Sequence, residues 1–411
     1  MRKKRIILII GDVETLGYFS KELAVYLHDM GREVFIWDVL HPADSITAFE
    51  VLPDKSDSVL VTFNFIGLTG EGQFGGAGPA IWEEYGIDII NIMVDSPIYY
   101  FPLLNRRFKN LSIACIDRNH VSYVRRWHPE IENVYFWPLC GNELIDETTA
   151  GPGIYRGQFV RSTSSGPELS KRERNLVFIA NYVTPEGIRG AIENADREYQ
   201  EFLYDICDQM IKSPSLVLED TLYERLKEAF PDEPDRAFPE AMHHCIFVDL
   251  YVRSYFRAKQ VRALADAGIQ VHCIGKDWDK LDCRHPENLI HSGRMMTSAD
   301  CVRALDEAVI SLNVMPHFKD GAHDRIFSSM LAGCVSLTDT SAYLDEVITP
   351  WEDYAPYELG NTDSITDAAM RIMHDPELAQ HIADMGRLKA QSSFTWREFA
   401  GSIDAVVRAA R

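Results

Sequence analysis

The sequence has no long apolar run, no paired cysteine motif and a shortage of positive charge. No window approaches the roughly 20 apolar residues of a transmembrane helix, so we expect no membrane-spanning segment. The 41 lysines and arginines are outnumbered by 62 aspartates and glutamates, which gives a formal net charge of -21. Because a surface this acidic repels a phosphate backbone, we expect no nucleic-acid partner. A small anionic ligand is still compatible, since one site can be positive while the whole chain is negative.

The eight cysteines are scattered along the chain, and none forms the C-x-x-C pair of a zinc knuckle or a redox motif. Cys115 lies within the apolar segment 112–116, a setting typical of reduced core cysteines. The basic residues 2–5 are followed by an apolar run, 6–10, that is shorter than the roughly 7–15 residues of a signal peptide. We therefore expect a cytoplasmic protein, without a metal site.

What the chain does contain is an alternation of short apolar strands with amphipathic helices. Its 411 residues predict two to three domains, at about 150 residues each. Fully apolar strands are typical of parallel sheets covered on both faces, so the fold class is α/β. The loops that follow such strands form the edge where ligands bind. The strands predicted in the N-terminal part are 5–10, 33–38, 58–65, 87–94, 111–117 and 133–139.

A change of composition divides the chain. Residues 145–174 are rich in threonine, serine, glycine and proline, which is typical of a linker. The predicted divisions are an N-terminal domain at 1–150, a linker at 151–174, a C-terminal domain at 175–392 and a last amphipathic helix at 393–411. Further strands are predicted at 175–180, 269–274, 308–314 and 334–338, and helices at 18–30, 198–213, 221–230, 241–267, 324–332, 364–374 and 376–387.

Two loops of the N-terminal domain are informative. The first, residues 11–17, lacks the G-x-G-x-x-G spacing of a dinucleotide site, and Asp12 and Glu14 would face any pyrophosphate placed there. We therefore expect the phosphates of a ligand on the C-terminal domain. The second, residues 67–78, carries six glycines in twelve positions. It is either a mobile flap over a cleft or a flexible surface loop.

The most informative segment is residues 311–333. A strand ends at Asn313, a polar loop follows, and Asp320 or His323 can cap the next helix. The free N–H groups and positive dipole end of that helix would bind an anion such as a diphosphate. Arg325, in its first turn, can add a bidentate phosphate contact. The alternative is an ordinary strand–loop–helix unit with a capped helix.

The same segment carries a resemblance to a known family. It contains D-G-A-H-D-R-I-F-S-S-M-L-A-G-C-V at 320–335, preceded by S-L-N and followed by L-T-D-T-S-A-Y-L-D-E. This sequence resembles the group 1 glycosyltransferases of GT-B fold, and most of all their spore maturation protein CgeB-like branch. Similar shorter pieces are N-I-M-V-D-S-P at 91–97, F-I-A-N at 178–181, G-K-D-W at 275–278 and F-T-W at 394–396.

The resemblance implies two facing Rossmann-like domains with parallel sheets, and a C-terminal helix, 393–411, that crosses back to the N-terminal domain. It implies a hexosyltransferase-type enzyme that moves a sugar from a nucleotide-diphosphate-sugar to an unidentified acceptor, which is a protein, a surface glycan or a small molecule. No cofactor or metal ion is expected. The alternatives are a nucleotide-sugar epimerase or hydrolase of the same fold, or a non-catalytic nucleotide-sugar-binding scaffold.

The chain departs from the family at one motif. Related retaining enzymes carry two glutamates eight positions apart, and the matching residues here are Asp320 and Ser328. Asp320 keeps the charge on a shorter arm, whereas Ser328 lacks the carboxylate that usually holds the nucleotide ribose. Retaining or inverting stereochemistry is therefore open. Asp339, Thr340 and Glu346 are alternative contacts to the ribose or the sugar.

An inverting reaction needs a base for the acceptor hydroxyl. Asp95 is the first candidate, because it follows a predicted strand at the ligand edge, although it is equally a turn-capping residue before Pro97. Asp12, Glu14 and His120 are further candidates. The predicted catalytic residues are Asp95, Asp320 and His120.

The leaving diphosphate needs positive charge, which Arg325, Lys276 and helix N–H groups can supply. Lys276 is otherwise a solvated loop lysine. Trp278 and Tyr343 can either stack on a base or pack in the core. The predicted donor-binding residues are Lys276, Trp278, Asn313, Gly321, His323, Asp324, Arg325, Ser328, Asp339 and Thr340.

Overall fold

The computed structural model describes residues 5–69, 80–147, 151–162 and 168–409. Most of the glycine-rich loop predicted at 67–78 lies outside these residues. The chain divides into two compact units. The first unit comprises Met1–Thr163, Thr297–Ala299 and Ser393–Arg411, and the second comprises Ser164–Met296 and Asp300–Ser392.

The first unit is built on a seven-stranded sheet of order β6-β5-β4-β3-β1-β2-β8. Its first six strands are parallel, as their apolar runs predicted, and only β8 is antiparallel, on β2. β7 and β9 form a separate antiparallel pair. The strands are β1 (Arg5–Ile10), β2 (Glu33–Asp38), β3 (Ser58–Phe63), β4 (Asp88–Met93), β5 (Leu111–Cys115), β6 (Asn133–Phe136), β7 (Ile145–Glu147), β8 (Gly153–Ile154) and β9 (Phe159–Arg161). Residues 151–174, predicted as a linker, thus contain β8 and β9.

The described helices of the first unit are α1 (Glu14–Asp29), α2 (Pro42–Glu50), α3 (Ala80–Glu84), α4 (Phe101–Leu104), α5 (Arg118–Trp127) and, at its C-terminal end, α16 (Trp396–Ala409). The Trp396 ring is fully buried, with its centroid 5.0 Å from Phe19 and 6.3 Å from Phe63. Its indole N–H donates to Asn142 Oδ1 over 3.0 Å. Aromatic packing and this hydrogen bond fix the start of α16 on the core of the first unit.

A buried carboxyl group lies where α1 meets the chain around Glu143. Glu22 is fully buried, and its Oε1 accepts a hydrogen bond from the Glu143 backbone N–H over 2.7 Å. Glu22 Oε2 has no hydrogen-bond partner among the described residues. Burial, together with the nearby Glu143 carboxylate, raises the pKa of Glu22 well above its ordinary value of 4.5. The folded chain therefore favours the protonated form of Glu22.

This raised pKa predicts a pH-dependent stability. Between pH 4.5 and the folded pKa of Glu22, the unfolded chain has lost the proton that the folded chain retains, so stability falls as the pH rises. Glu22→Gln keeps the acceptor oxygen and removes the titration. We expect the variant to gain stability over the parent as the pH rises, measured as the urea midpoint at pH 4.5 to 8. Equal pH slopes in both proteins would contradict a buried, titrating Glu22.

The second unit has a six-stranded sheet of order β12-β11-β10-β13-β14-β15, parallel throughout. Its strands are β10 (Arg174–Ile179), β11 (Val271–Ile274), β12 (Leu289–His291), β13 (Ala308–Asn313), β14 (Val335–Thr338) and β15 (Ala355–Pro356). The carboxyl ends of β10, β11, β13 and β14 are followed by loops that begin at Ala180, Gly275, Val314 and Asp339. Parallel pairing brings these loops to one edge of the sheet.

The described helices of the second unit are α6 (Pro185–Arg189), α7 (Arg197–Lys212), α8 (Leu218–Ala229), α9 (Phe238–His244), α10 (Ile246–Asp266), α11 (Ser298–Asp306), α12 (Asp324–Leu331), α13 (Ala342–Val347), α14 (Thr362–His374) and α15 (Pro376–Ser393). The first two residues of α11 and the last residue of α15 belong to the first unit. The single helix predicted over 241–267 is wrong. It is two helices, α9 and α10, which meet at Cys245 with φ -90° and ψ 14°. None of the described helices is long and apolar enough to cross a lipid bilayer.

Candidate functional site

The loops after β10 and β11 approach each other closely at the edge of the second sheet. Gly275 has φ +150°, and a Cβ atom there would lie only 2.1 Å from the Ala180 carbonyl oxygen. The next residue, Lys276, donates its backbone N–H to Asn181 Oδ1 over 3.0 Å. Only glycine fits at 275, so this residue holds the Lys276 loop against the end of β10. The Lys276 side chain itself is exposed.

The N-terminus of α12 is organised by one histidine. His323 is the N-cap residue, its Nδ1 lies 2.6 Å from Asp324 Oδ1, and its Nε2 lies 3.3 Å from Arg325 Nη2. An arginine can only donate, so Nε2 accepts and the ring proton is on Nδ1, facing the carboxylate. The 3.3 Å approach of the Arg325 backbone N–H to Nδ1 is the weaker contact. Burial and the nearby Arg325 charge lower the pKa of His323, which favours this neutral form.

Arg325 is oriented by the end of β13. Its Nη1 donates to Asn313 Oδ1 over 2.9 Å, and the Asn313 amide donates to Thr338 Oγ1 over 2.9 Å. The Thr338 hydroxyl donates in turn to the Asp339 carbonyl over 2.7 Å. This chain of donors fixes the amide orientation of Asn313 and thereby the plane of the guanidinium.

Sequence reasoning missed a second arginine, which comes from α10. Arg257 Nη1 donates to the Asn181 carbonyl over 3.4 Å, and its Nε has no hydrogen-bond partner among the described residues. Burial, with the charges of Arg253 and Arg325 nearby, lowers the pKa of Arg257 to about 9. Burial also lowers the pKa of Arg325. Two partly buried arginines, of which Arg325 helps to lower the pKa of Arg257, form a site that favours an anion.

The neighbouring charges differ in their pairing. Arg253 Nη2 donates to Asp249 Oδ2 over 2.9 Å, and His317 Nδ1 lies 3.8 Å from Asp249 Oδ1. In the part of the chain that the structure describes, neither Arg257 nor Arg325 forms an ion pair with a carboxylate. Burial lowers the pKa of His317 well below its ordinary value, so that ring adds no cation. Among the described cations of this cluster, Arg257 and Arg325 are therefore the two without a direct ion pair, although Asp249 and Asp324 lie in their surroundings.

A buried carboxylate lies at the end of the adjacent strand. Asp339 Oδ1 accepts from the Met315 backbone N–H over 2.8 Å, whereas Oδ2 has no partner among the described residues. Burial raises the pKa of Asp339 to about 6. The Tyr357 hydroxyl lies 2.8 Å from the Asn313 carbonyl and 3.4 Å from Asp339 Oδ1, so its proton goes to the carbonyl. Asp339 is therefore a weakly solvated acceptor beside the Asn313–Arg325 pair.

Of the predicted donor-binding residues, Trp278 and Ser328 are buried and hydrogen-bonded within the second unit, whereas Thr340 is exposed. Trp278 has no exposed surface, its ring stacks on Tyr182 at 5.2 Å, and its indole N–H donates to the Ala180 carbonyl over 2.6 Å. Its environment is the core. Ser328 is 3% exposed, and its hydroxyl donates to the Asp324 carbonyl over 2.9 Å, within α12. The Thr340 hydroxyl donates to Asp345 Oδ1 over 2.5 Å.

The loop between β13 and α12 is bonded to a neighbouring loop of the same sheet edge. The Gly321 carbonyl accepts from Ser341 Oγ over 2.6 Å, which joins this loop to the one after β14. Gly321 is absent from the positive-φ glycines among the described residues, which do include Gly275. Asp320 lies beside it, partly buried. The glycine that requires an unusual backbone conformation is therefore Gly275 rather than Gly321.

In the first unit, Asp95 follows β4. Its Oδ2 accepts from Asn64 Nδ2 over 2.9 Å and from the Tyr100 hydroxyl over 3.3 Å. Asn64 is itself fixed, because its Oδ1 accepts from the Val94 backbone N–H over 2.9 Å. Burial and the Asp95 charge raise the pKa of Tyr100, which keeps its hydroxyl a donor. These two donors hold the Asp95 carboxylate in one orientation.

The other base candidates have separate environments. His120 is 1% exposed in the first turns of α5. Glu14 accepts from the backbone N–H of Ser298 over 2.9 Å and from its hydroxyl over 2.7 Å, and Asp12 is exposed. Among the described residues, no group of three or more histidine, cysteine, aspartate or glutamate side chains is arranged to hold a metal ion.

Comparison with known proteins connects this geometry to a family. Residues 254–404, a little more than a third of the chain, match the family model described as glycosyl transferase-like. This segment includes Arg257, Lys276, Asn313, Arg325 and Asp339. The search of curated proteins finds no match.

Solved structures resemble the chain over nearly its full length. Sucrose-phosphate synthase from Thermosynechococcus elongatus aligns with a TM-score of 0.51 at 11% identity, covering 99% of this chain and 98% of that one. T4 phage BGT in complex with its UDP-glucose substrate aligns with a TM-score of 0.53 at 10% identity, covering 99% of each chain. The same phage enzyme with UDP and Mn²⁺ gives a TM-score of 0.53 at 9% identity, covering 98% of this chain and 99% of that one.

These similarities, at low identity, concern the fold, and they confirm the predicted GT-B architecture. Residues 254–404 thus form a glycosyl transferase-like segment within a chain of GT-B fold.

Proposed function

We propose that this chain is a glycosyltransferase whose nucleoside-diphosphate-sugar donor binds at the N-terminus of α12. The observation that carries this function is the pair of guanidinium groups of Arg257 and Arg325, which lack carboxylate partners among the described residues. Partly burying like charges without a direct ion pair is costly, so the cluster is suited to bind a multivalent anion. The chain as a whole has a net charge of -21 and repels anions, so an anionic ligand is attracted to this local positive site rather than to the rest of the surface.

The chemistry of the transfer assigns these groups a role. The bond between the sugar C1 and the phosphate oxygen breaks while the acceptor oxygen bonds to C1, so negative charge develops on the leaving diphosphate. Arg257, Arg325, Lys276 and the free N–H groups of α12 stabilise that charge. Asn313 and His323 hold Arg325 in place before the charge develops, so no reorientation is needed during the reaction.

The proposed contacts to the sugar and the ribose of the donor are less specific than those to the diphosphate. Asp320, Asp324 and Asp339 are the proposed acceptors for hydroxyls of the sugar and the ribose. Ser328 is the weaker ribose candidate, because its hydroxyl already donates to the Asp324 carbonyl.

We propose that arginines rather than a metal ion neutralise the diphosphate charge. We also propose that the chain belongs to the CgeB-like branch and that it acts in the cytosol. Its eight free cysteines support a cytosolic location.

The donor site is tested by thermal unfolding with UDP, GDP, ADP and CMP, each with and without EDTA. A ligand at about 100 times its Kd stabilises the folded chain by roughly 2.7 kcal/mol, so we expect at least one nucleotide to raise the Tm by several degrees. The shift should persist in EDTA, because no metal takes part in the proposed contacts. If no nucleotide shifts the Tm, the donor site is wrong. A shift abolished by EDTA contradicts the metal-free part alone.

Turnover distinguishes the transferase from a hydrolase or epimerase of the same fold. With the sugar nucleotide of the best-binding base, we expect release of the nucleoside diphosphate to accelerate when a panel of saccharide acceptors is added. Release at the same rate with every acceptor contradicts transfer and indicates hydrolysis. Conversion of the donor sugar without release of a diphosphate indicates an epimerase.

A further inference from the structure

A cavity of about 500 Å³ lies in the second unit beside the loops that follow β14 and β15. Its walls include Trp351, Tyr357, Glu358, Asp367 and Arg371, the last two from α14. This volume lies in the usual range for a small-molecule site, about 300–1,000 Å³. The arginine cluster at α12 does not contribute to its lining. The lining does include Thr340 and Tyr357, and the Tyr357 hydroxyl lies 3.4 Å from Asp339 Oδ1, so the cavity adjoins the proposed donor site without containing its arginines.

Trp351 is held in this wall by a strained backbone. Its φ is +62°, in the left-handed region that a bulky side chain rarely adopts. The conformation is enforced by the Trp351 backbone N–H, which donates to the Tyr354 carbonyl over 2.7 Å, and by the Thr349 backbone N–H, which donates to Asp353 Oδ2 over 2.8 Å. Strain of this kind is typical of ligand sites, where it fixes a side chain in advance.

Arg371 lies on the Trp351 ring instead of forming the expected ion pair. Its guanidinium carbon is 4.0 Å from the ring centroid. Asp367 precedes it by four positions on α14, a spacing at which acid and base normally pair. Within the described ranges, however, neither Asp367, Arg371 nor Glu358 has an ion-pair partner. Two carboxylates are therefore available to a ligand in this cavity, while the Arg371 guanidinium covers one face of the Trp351 ring and leaves the other face for a ligand.

The side chains that line the cavity indicate which class of ligand it binds. An indole ring offers an apolar surface for the C–H face of a sugar ring, and carboxylates accept hydrogen bonds from several hydroxyls at once. The two carboxylates outnumber the one guanidinium, so an anionic ligand is repelled. We infer that this cavity binds a neutral saccharide, with the sugar ring against Trp351 and its hydroxyls on Asp367 and Glu358. This inference does not depend on the nucleotide site, because the two share no charged residue.

The experiment is saturation-transfer NMR with the full-length chain and glucose, galactose, mannose, N-acetylglucosamine and maltose, with glucuronate as the anionic comparison. We expect at least one neutral sugar to bind saturably, in the low millimolar range of weak sites. Glucuronate should bind at least 10-fold more weakly than glucose. No saturable binding by any neutral sugar, or glucuronate binding as strong as glucose binding, overturns the inference.

Amino-acid substitutions test whether the saccharide binds in this cavity. Trp351→Gly removes the ring but keeps a residue that adopts positive φ freely, so the loop can fold as before. We expect Trp351→Gly and Asp367→Asn each to weaken saccharide binding at least 10-fold, and both to retain the Tm shift caused by the best nucleotide. Asp363→Asn, on the exposed first turn of the same helix and outside the cavity wall, is the matched control and should bind as the parent does. Unchanged saccharide binding in Trp351→Gly overturns the inference whatever the nucleotide data show.

Discussion

Replacing Arg257 with glutamine is expected to weaken binding of a nucleoside diphosphate by about 10- to 100-fold. A hydrogen bond to a charged group contributes roughly 1.5–3 kcal/mol, which corresponds to this range of affinity. Arg257 has only a 3.4 Å contact to a backbone carbonyl in the free chain, so its donors are available to a phosphate. Isothermal titration of the best-binding nucleotide measures the loss directly. Arg325→Gln should weaken binding to a similar degree.

The stability of the same variant separates a binding role from a structural one. Because burial lowers the pKa of Arg257 to about 9, the positive charge is disfavoured in the folded chain and destabilises it at every pH below that value. Arg257→Gln removes this cost, so the free variant should be as stable as the parent or more stable. Weaker nucleotide binding with retained stability is the expected pair of results. A large loss of stability would mean that Arg257 supports the fold instead.

Arg303→Gln is a matched control for the loss of one positive charge. Arg303 is exposed on α11 and forms an ion pair with Asp300 over 3.0 Å. Exposed pairs of this kind contribute little to stability and are screened by salt. We expect the control to bind the nucleotide within about 2-fold of the parent. A loss equal to that of Arg257→Gln would indicate a long-range charge effect rather than contact with the phosphate.

The longer strands could be predicted because each contains a short, mostly apolar run, and a parallel sheet covered on both faces favours such runs. In the second unit the strands that were missed are β12 and β15, which are three and two residues long, and β12 ends in the exposed Ile290 and His291; β7, β8 and β9 of the first unit, equally short, were missed as well. Edge strands of that length leave no periodic signal, since only pairing with a neighbour makes them extended. The break at Cys245 was missed for a related reason, because neither glycine nor proline marks it.

The residues of the candidate site likewise divide into those that the sequence could predict and those that it could not. Arg325 could be found because it lies in the first turn after a polar loop, next to a strand end. Arg257 lies in the middle of a helix, and only the folding of α10 against the sheet places it near Arg325. A signal did exist, because Arg253 and Arg257 are four residues apart on a helix whose buried residues are mostly apolar. Trp278 shows the converse, since sequence cannot tell whether a tryptophan after a strand faces a ligand or the core.

Asp95→Asn is expected to lower turnover by about 10²- to 10⁴-fold, the usual contribution of a general base, while donor affinity is unchanged. The substitution keeps the side-chain shape but removes the group that accepts the acceptor proton. Asn64 and Tyr100 donate to Oδ2, so the carboxylate is oriented with Oδ1 available for that proton. Release of nucleoside diphosphate from the donor, measured with the best acceptor or with water, gives the rate.

Two comparisons make this result specific to the proposed base. Asp12→Asn alters the rival carboxylate of the same unit, which is exposed, and should retain the parent rate. Tyr100→Phe removes only one of the two donors to Asp95 and should lower the rate much less than Asp95→Asn does. The anomeric configuration of the product is an independent readout, because a base acting on the acceptor hydroxyl in a single displacement inverts C1. A product that retains the donor configuration, or an Asp95→Asn variant with the parent rate, would remove Asp95 from the mechanism and direct attention to Asp320.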